Sequence, residues 1–126
     1  MKPRILIIDD ETDFCLIMKN FFTKKGYDVN LAFTLQDGLK KVTESSPQIL
    51  FIDNNLPDGN GWDAVEGIVE KIPQIRTYLV SAHRNRSSFH KKDENIVIWE
   101  KPISLAILNE VFGNVPAPQT TQTDNI

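Results

Sequence analysis

Hydrophobic positions fall into short continuous runs separated by longer stretches with helical spacing. Arg4–Ile8 is a β-rich apolar run that ends abruptly at Asp9, Asp10 and Glu11. Phe14, Ile17, Met18 and Phe21 then recur at i, i+3, i+4 and i+7, which predicts an amphipathic helix closing near Lys24-Lys25-Gly26. The two lysines suit the negative end of that helix, and Gly26 suits the left-handed position after it. Tyr27, Val29 and Leu31 alternate with polar residues, as in a strand with one face more exposed. Thr34 is placed to cap a second helix, with Asp37 in its first turn and Leu35, Leu39 and Val42 inward. Ser45-Ser46-Pro47 stops it.

Ile49–Ile52 is a four-residue apolar run that stops at Asp53, and Asn54–Gly61 cannot prolong it. Such a run predicts a strand buried on both faces, the kind found inside a parallel sheet. Trp62, Val65, Ile68 and Val69 mark a third helix, halted by Pro73. Tyr78–Val80 forms a fourth strand ending at Ser81, and Ile96–Trp99 a fifth ending at Glu100-Lys101-Pro102. Ile103, Ile107 and Val111, with Leu108, outline a last helix. Between the last two strands, His83–Asn95 holds Phe89 as nearly its only large apolar residue, so the fourth helix is expected to be short, irregular or mobile. Residues 1–115 read as one domain, and 116–126 as a disordered tail without core-forming residues.

Strands alternating with helices predict an α/β fold, a doubly wound five-stranded parallel sheet with helices on both faces. Right-handed crossovers then bring every strand's carboxyl end to one edge. Composition changes this picture little. At 126 residues with a net charge of −3, nothing global suggests nucleic-acid or membrane binding. Cys15 is the only cysteine and falls in a helical pattern, where it reads as a small packed hydrophobe in a reducing compartment. The basic start precedes too short an apolar run for a signal peptide, and a cytoplasmic location is expected.

The shared edge gathers Asp9, Asp10, Asp53, Ser81 and Lys101. Carboxylates in one pocket repel by roughly a few kcal/mol per close pair at an effective dielectric near 20, so a cation is required. Hard oxygen donors of this kind suit Mg²⁺, which commonly takes a substrate phosphate as a further ligand. Lys101 and the Ser81 hydroxyl can each meet a phosphoryl oxygen, and the set supplies the parts for phosphoryl transfer to an aspartate. Singly, each residue has a plainer use. Asp53 can cap a turn, Asp9, Asp10 and Glu11 can serve a helix N-terminus, Ser81 can be a turn residue, and Lys101 a solvated lysine. Arg84, Arg86, Lys91 and Lys92 read as a solvated basic face, and Trp62 and Trp99 as packing residues.

ILIIDDE near the start, FIDNNLPDGNGW, VSA at 80–82 and EKPIS at 100–104 together resemble the receiver domain of two-component response regulators. The resemblance implies a flavodoxin-like fold with strand order 2-1-3-4-5 and Asp53 as phosphoacceptor. It also implies Mg²⁺ held by Asp10, Asp53 and the Asn55 main-chain carbonyl, with Asp9 acting through water. Lys101 would hold a phosphoryl oxygen and Ser81 would hydrogen-bond the phosphoryl group. Asn55 and His83 would flank the attacking water. The donor would be a phosphohistidine on a sensor histidine kinase or histidine phosphotransfer protein. The domain would pass its signal to a downstream protein target as a monomer or a weak phosphorylation-dependent dimer. It would modify only itself and not turn over a separate substrate.

Two positions depart from the family pattern. Ile98 stands three residues before the lysine, where Tyr or Phe usually acts as a rotameric switch, and Trp99 should face the opposite side of its strand. The segment before the last strand lacks the usual Gly-Ala pair. Three other readings compete. A receiver-like interaction module that works without phosphate is favoured by the departures and opposed by the full acidic set. A haloacid-dehalogenase-type phosphatase would need D-x-D after the first strand, and a flavin phosphate would be repelled by Asp9, Asp10 and Glu11.

Overall fold

In the computed structural model, which describes residues 2–82 and 95–113, each of the five apolar runs is a strand of one sheet. The chain runs β1 (Arg4–Ile8), α1 (Thr12–Lys24), β2 (Asp28–Ala32), α2 (Leu35–Ser45) and β3 (Ile49–Asp53). A small hairpin follows, β4 (Asn55–Leu56) and β5 (Gly59–Asn60). A 3₁₀ turn at Trp62–Ala64 leads into α3 (Val65–Lys71), then β6 (Arg76–Ser81), β7 (Ile96–Glu100) and α4 (Leu105–Leu108), which continues as a π-helical segment over Asn109–Gly113. The main sheet has the order β2-β1-β3-β6-β7 with every pair parallel. This is the expected doubly wound, flavodoxin-like arrangement. Residues 83–94, nearly all of the segment in which the fourth helix is expected, and the tail from Pro116 onward lie outside the described residues.

Successive residues of a strand point to opposite faces, and the sheet uses both. Ile5, Ile7, Phe51, Tyr78 and Val80 pack against Cys15, Met18 and Phe22 of α1 and against Leu108 and Phe112. Leu6, Ile8, Leu50, Ile52 and Leu79 pack against Val42 of α2 and Val65 and Ile68 of α3. Full burial of such a side chain contributes about 1.5–3 kcal/mol, so the central strands hold on both sides. At the sheet's edge, β7 is only half-buried along its length.

Three helix faces differ from the spacing argument. In α1 the buried residues are Cys15, Met18 and Phe22, while Ile17 is 53% exposed. The adjacent phenylalanines permit two helical frames, and the Phe22 frame seats the small Cys15 against β1 with its thiol donating to the Asp9 carbonyl at 3.3 Å. In α2, Leu39 sits at the surface, and the inward positions are Gly38 and Val42. Gly38 permits close approach, since a Cβ there would run into the Ile8 side chain. At the C-terminal end, Leu108 and Phe112 are buried, whereas Ile107 and Val111 are exposed. The Phe112 ring meets Phe22 edge-on at 4.9 Å and Tyr78 at 5.8 Å, an aromatic contact that overrides the smaller aliphatics. The caps follow expectation: Thr34 accepts from the Asp37 amide at 3.1 Å, and Gly26 has φ 97° after α1.

Candidate functional site

Parallel registry sets the strand ends level. Ile8 lies beside Ile52, Asp53 beside Val80, and Ser81 beside Glu100. Main-chain bonds extend that alignment past the strands: Asp9 N donates to Ala32 O at 2.9 Å, and Lys101 N to Ser81 O at 2.8 Å. Asp9, Asp53 and Ser81 are buried, and Asp10 is exposed at the rim.

Asp9, Asp10 and Asp53 each offer a carboxylate oxygen within 4.8 Å of the others. The Lys101 ammonium lies 2.8 Å from Asp9 Oδ2 and 3.7 Å from Asp53 Oδ1, and it also pairs with Glu11. It sits 4.7 Å from the centre of the Phe14 ring, a cation–π contact. Glu11 and Phe14 as partners of Lys101 were not foreseen from the sequence. Both project from the start of α1, and their separation from Lys101 along the chain gives no local signal.

Backbone amides hold the acids in place. Glu11 N donates to Asp9 Oδ1 at 2.9 Å, and Asn55 N to Asp53 Oδ2 at 3.2 Å. The turn after Asp53 is folded back tightly: Gly61 N donates to Asn54 O at 3.0 Å and Trp62 N to Asn54 Oδ1 at 3.3 Å. Gly61 is required here, because a Cβ would overlap the Asp53 carbonyl oxygen. Trp62 is buried and donates its indole N–H to Ile52 O at 3.3 Å.

Burial and the neighbouring Asp9 charge push the Asp53 carboxyl up to about 6, against the pull of Lys101. Burial likewise raises Asp9, with Lys101 and the Glu11 amide opposing. Burial alone would lower the Lys101 ammonium, but hydrogen bonds to Asp9 and Glu11 outweigh it and hold the group above its ordinary value. Burial and the Asp9 charge push the Cys15 thiol to about 12, so it is a packed thiol and not a nucleophile. A site whose two buried acids, Asp9 and Asp53, resist ionisation, and whose carboxylates share one ammonium among the described residues, fits a divalent cation by its donor chemistry.

The remaining expected positions are dispersed. Asn55 begins the hairpin beside Asp53. Ile98 faces the aliphatic cluster under α2 and α3. Trp99 faces the other side, with its ring 4.7 Å from Tyr78 and 5.8 Å from Phe51. His83 lies outside the described residues. Among those residues, no helix is long and apolar enough to cross a membrane.

The family model for the response regulator receiver domain matches residues 5–98. The chemotaxis protein CheY of Thermotoga maritima is 32% identical over 83 residues, covering 65% of this chain and 69% of that protein. The photosynthetic apparatus regulatory protein RegA of Rhodobacter capsulatus is 29% identical over 63% of this chain, but the match spans only 43% of RegA. Among solved structures, the signal receiver domain of a putative Luxo repressor protein from Vibrio parahaemolyticus superposes with a TM-score of 0.76 at 25% identity, covering 90% of this chain and 88% of that one. The non-phosphorylated HemR receiver domain from Leptospira biflexa, at 23% identity, shares the fold with a TM-score of 0.78 over 97% of this chain and all of that one.

Proposed function

Because this chain belongs to the response regulator receiver domain family of two-component signalling, we propose that it takes a phosphoryl group onto Asp53 from a phosphohistidine of a sensor kinase or phosphotransfer protein. The observation that carries this reading is the convergence of three carboxylates and Lys101 on one strand edge.

In the proposed step, a carboxylate oxygen of Asp53 attacks phosphorus and the bond to the imidazole nitrogen breaks. The nitrogen keeps that electron pair. Asp10, Asp53 and the Asn55 carbonyl would hold Mg²⁺, with Asp9 acting through water, and the ion would neutralise charge on the transferring group. Lys101, already drawn toward Asp53 at 3.7 Å, leaves Glu11 to meet a phosphoryl oxygen as a compact positive charge. The Ser81 hydroxyl donates to a second oxygen. Asn55 would flank the line of attack of the water that later hydrolyses the acyl phosphate, and the family resemblance assigns the same role to His83, which lies outside the described residues. The domain changes only its own state, so it is a switch and not a turnover enzyme. A reducing cytoplasm suits it, with residues 1–115 as the receiver.

A second reading, a phosphate-independent interaction module, draws on Ile98, an aliphatic side chain at the position where the family usually has the aromatic switch residue. Intact mass after incubation with Mg²⁺ and acetyl phosphate separates the two. The wild type should gain one phosphoryl mass, and Asp53→Asn should not. No gain, or an equal gain in the variant, would defeat the proposal.

A further inference from the structure

The turn Leu56-Pro57-Asp58-Gly59 does more than reverse the chain. Asp58, at the hairpin tip, accepts from two main-chain amides of another element, Leu35 N at 2.7 Å through Oδ1 and Gln36 N at 2.9 Å through Oδ2. These are the first two residues of α2. Their amides are orphan donors at the positive end of a helix, where a carboxylate is a favoured partner. Gly59 abuts the same residue: a Cβ there would sit 3.2 Å from Leu35 Cδ2. Behind the tip, Leu56 is buried with the aliphatic core, and Asn55 pairs with Asn60.

The hairpin is therefore fastened at both ends, by the Asn54 bonds to Gly61 and Trp62 at its base and by Asp58 at its tip. Between the two anchors lies Asn55. We propose that Asp58 is a positioning residue for the phosphorylation site, holding the Asn55 carbonyl at the metal position by tying its loop to the start of α2. This rests on the reading of Asn55 as a metal ligand given above. Thr34 caps the same helix through a different amide, Asp37 N at 3.1 Å, and touches none of the hairpin bonds. Loss of either cap weakens α2, and only loss of Asp58 frees the loop.

The experiment compares Asp58→Ala, Asp58→Asn and Thr34→Ala in the whole chain. Mg²⁺ titration by calorimetry reads metal affinity, and amide exchange without metal reads Asn55 and Gly61. Asp58→Ala should weaken Mg²⁺ binding about threefold to tenfold and speed exchange at both amides. Asp58→Asn, which keeps an acceptor oxygen, should fall between it and the wild type. Thr34→Ala should lower the melting temperature without moving either readout. Unchanged exchange and affinity in both Asp58 variants, or an equal loss in Thr34→Ala, would overturn the proposal. A wild type that binds no Mg²⁺ would instead defeat the metal-site reading, while the exchange data would still judge the tie between Asp58 and α2.

Discussion

Asp53 is surrounded by groups that discourage its ionisation, chiefly the burial that strips its carboxylate of water and the charge on Asp9. The folded value of about 6 lies above the 3.8 of an unperturbed aspartate. Between those values the folded chain holds more proton than the unfolded one, so stability falls as pH rises through that window and stays lower above it. Asp53→Asn removes the charge and should therefore stabilise the metal-free protein at neutral pH by about 1–3 kcal/mol. The gain should fade toward pH 4, where the wild-type carboxyl is protonated when folded. Thermal melts in chelator at pH 4 and pH 7.5 measure this, and an equal difference between the two proteins at both pH values would contradict it. Asp9, Asp53 and Lys101 were legible in the sequence because each ends an apolar run, where a parallel sheet collects its strand ends. Glu11 and Phe14 were not legible as partners of Lys101, since nothing local marks a residue 87 or more positions away.

At the scale of elements, the five strands of the main sheet were read to within two residues at each end, because apolar runs bounded by turn formers leave little freedom of register. The short hairpin over Asn55–Asn60 carries no apolar run and was not foreseen. Four helices were found where expected, and the face of α3 was read correctly, with Trp62, Val65 and Ile68 buried. The buried faces of α1, α2 and the last helix were read only in part. Ile17, Leu39 and Val111 have the right chemistry for a core and lie near the surface. Which frame wins depends on what the opposite strand presents, here a small thiol over β1, a glycine over Ile8 and an aromatic ring against Tyr78. The last helix gives a direct check. Leu108→Ala should destabilise the chain by about 2–5 kcal/mol, whereas Val111→Ala should cost less than about 1 kcal/mol. Urea titrations followed by circular dichroism distinguish the two, and equal losses would restore the Ile107–Val111 face.

For the whole molecule, the question is how a change at Asp53 reaches a partner. Ile98 and Trp99 point into different cores, one mainly aliphatic with Trp62 its aromatic member and one rich in aromatic rings. The aliphatic side offers no hydroxyl or ring at Ile98 for Ser81 to draw inward. Amide spectra with Mg²⁺ and beryllofluoride, a phosphoryl mimic, should therefore show only small shifts over Ile96–Trp99. Large shifts there, as an aromatic switch would give, would sink this expectation.

The edge position of β7 has a consequence in time. Among the described residues, Lys101 is delivered by the last strand, and β7 pairs with no strand but β6. During synthesis, Asp9 and Asp53 can be brought together by β1 and β3 long before their ammonium emerges from the ribosome. Until β7 docks, the two acids face each other with no internal counter-charge. The docking of β7 thus completes the described sheet and brings the site its ammonium in one event, so until then the charges that later serve the chemistry oppose the finished fold.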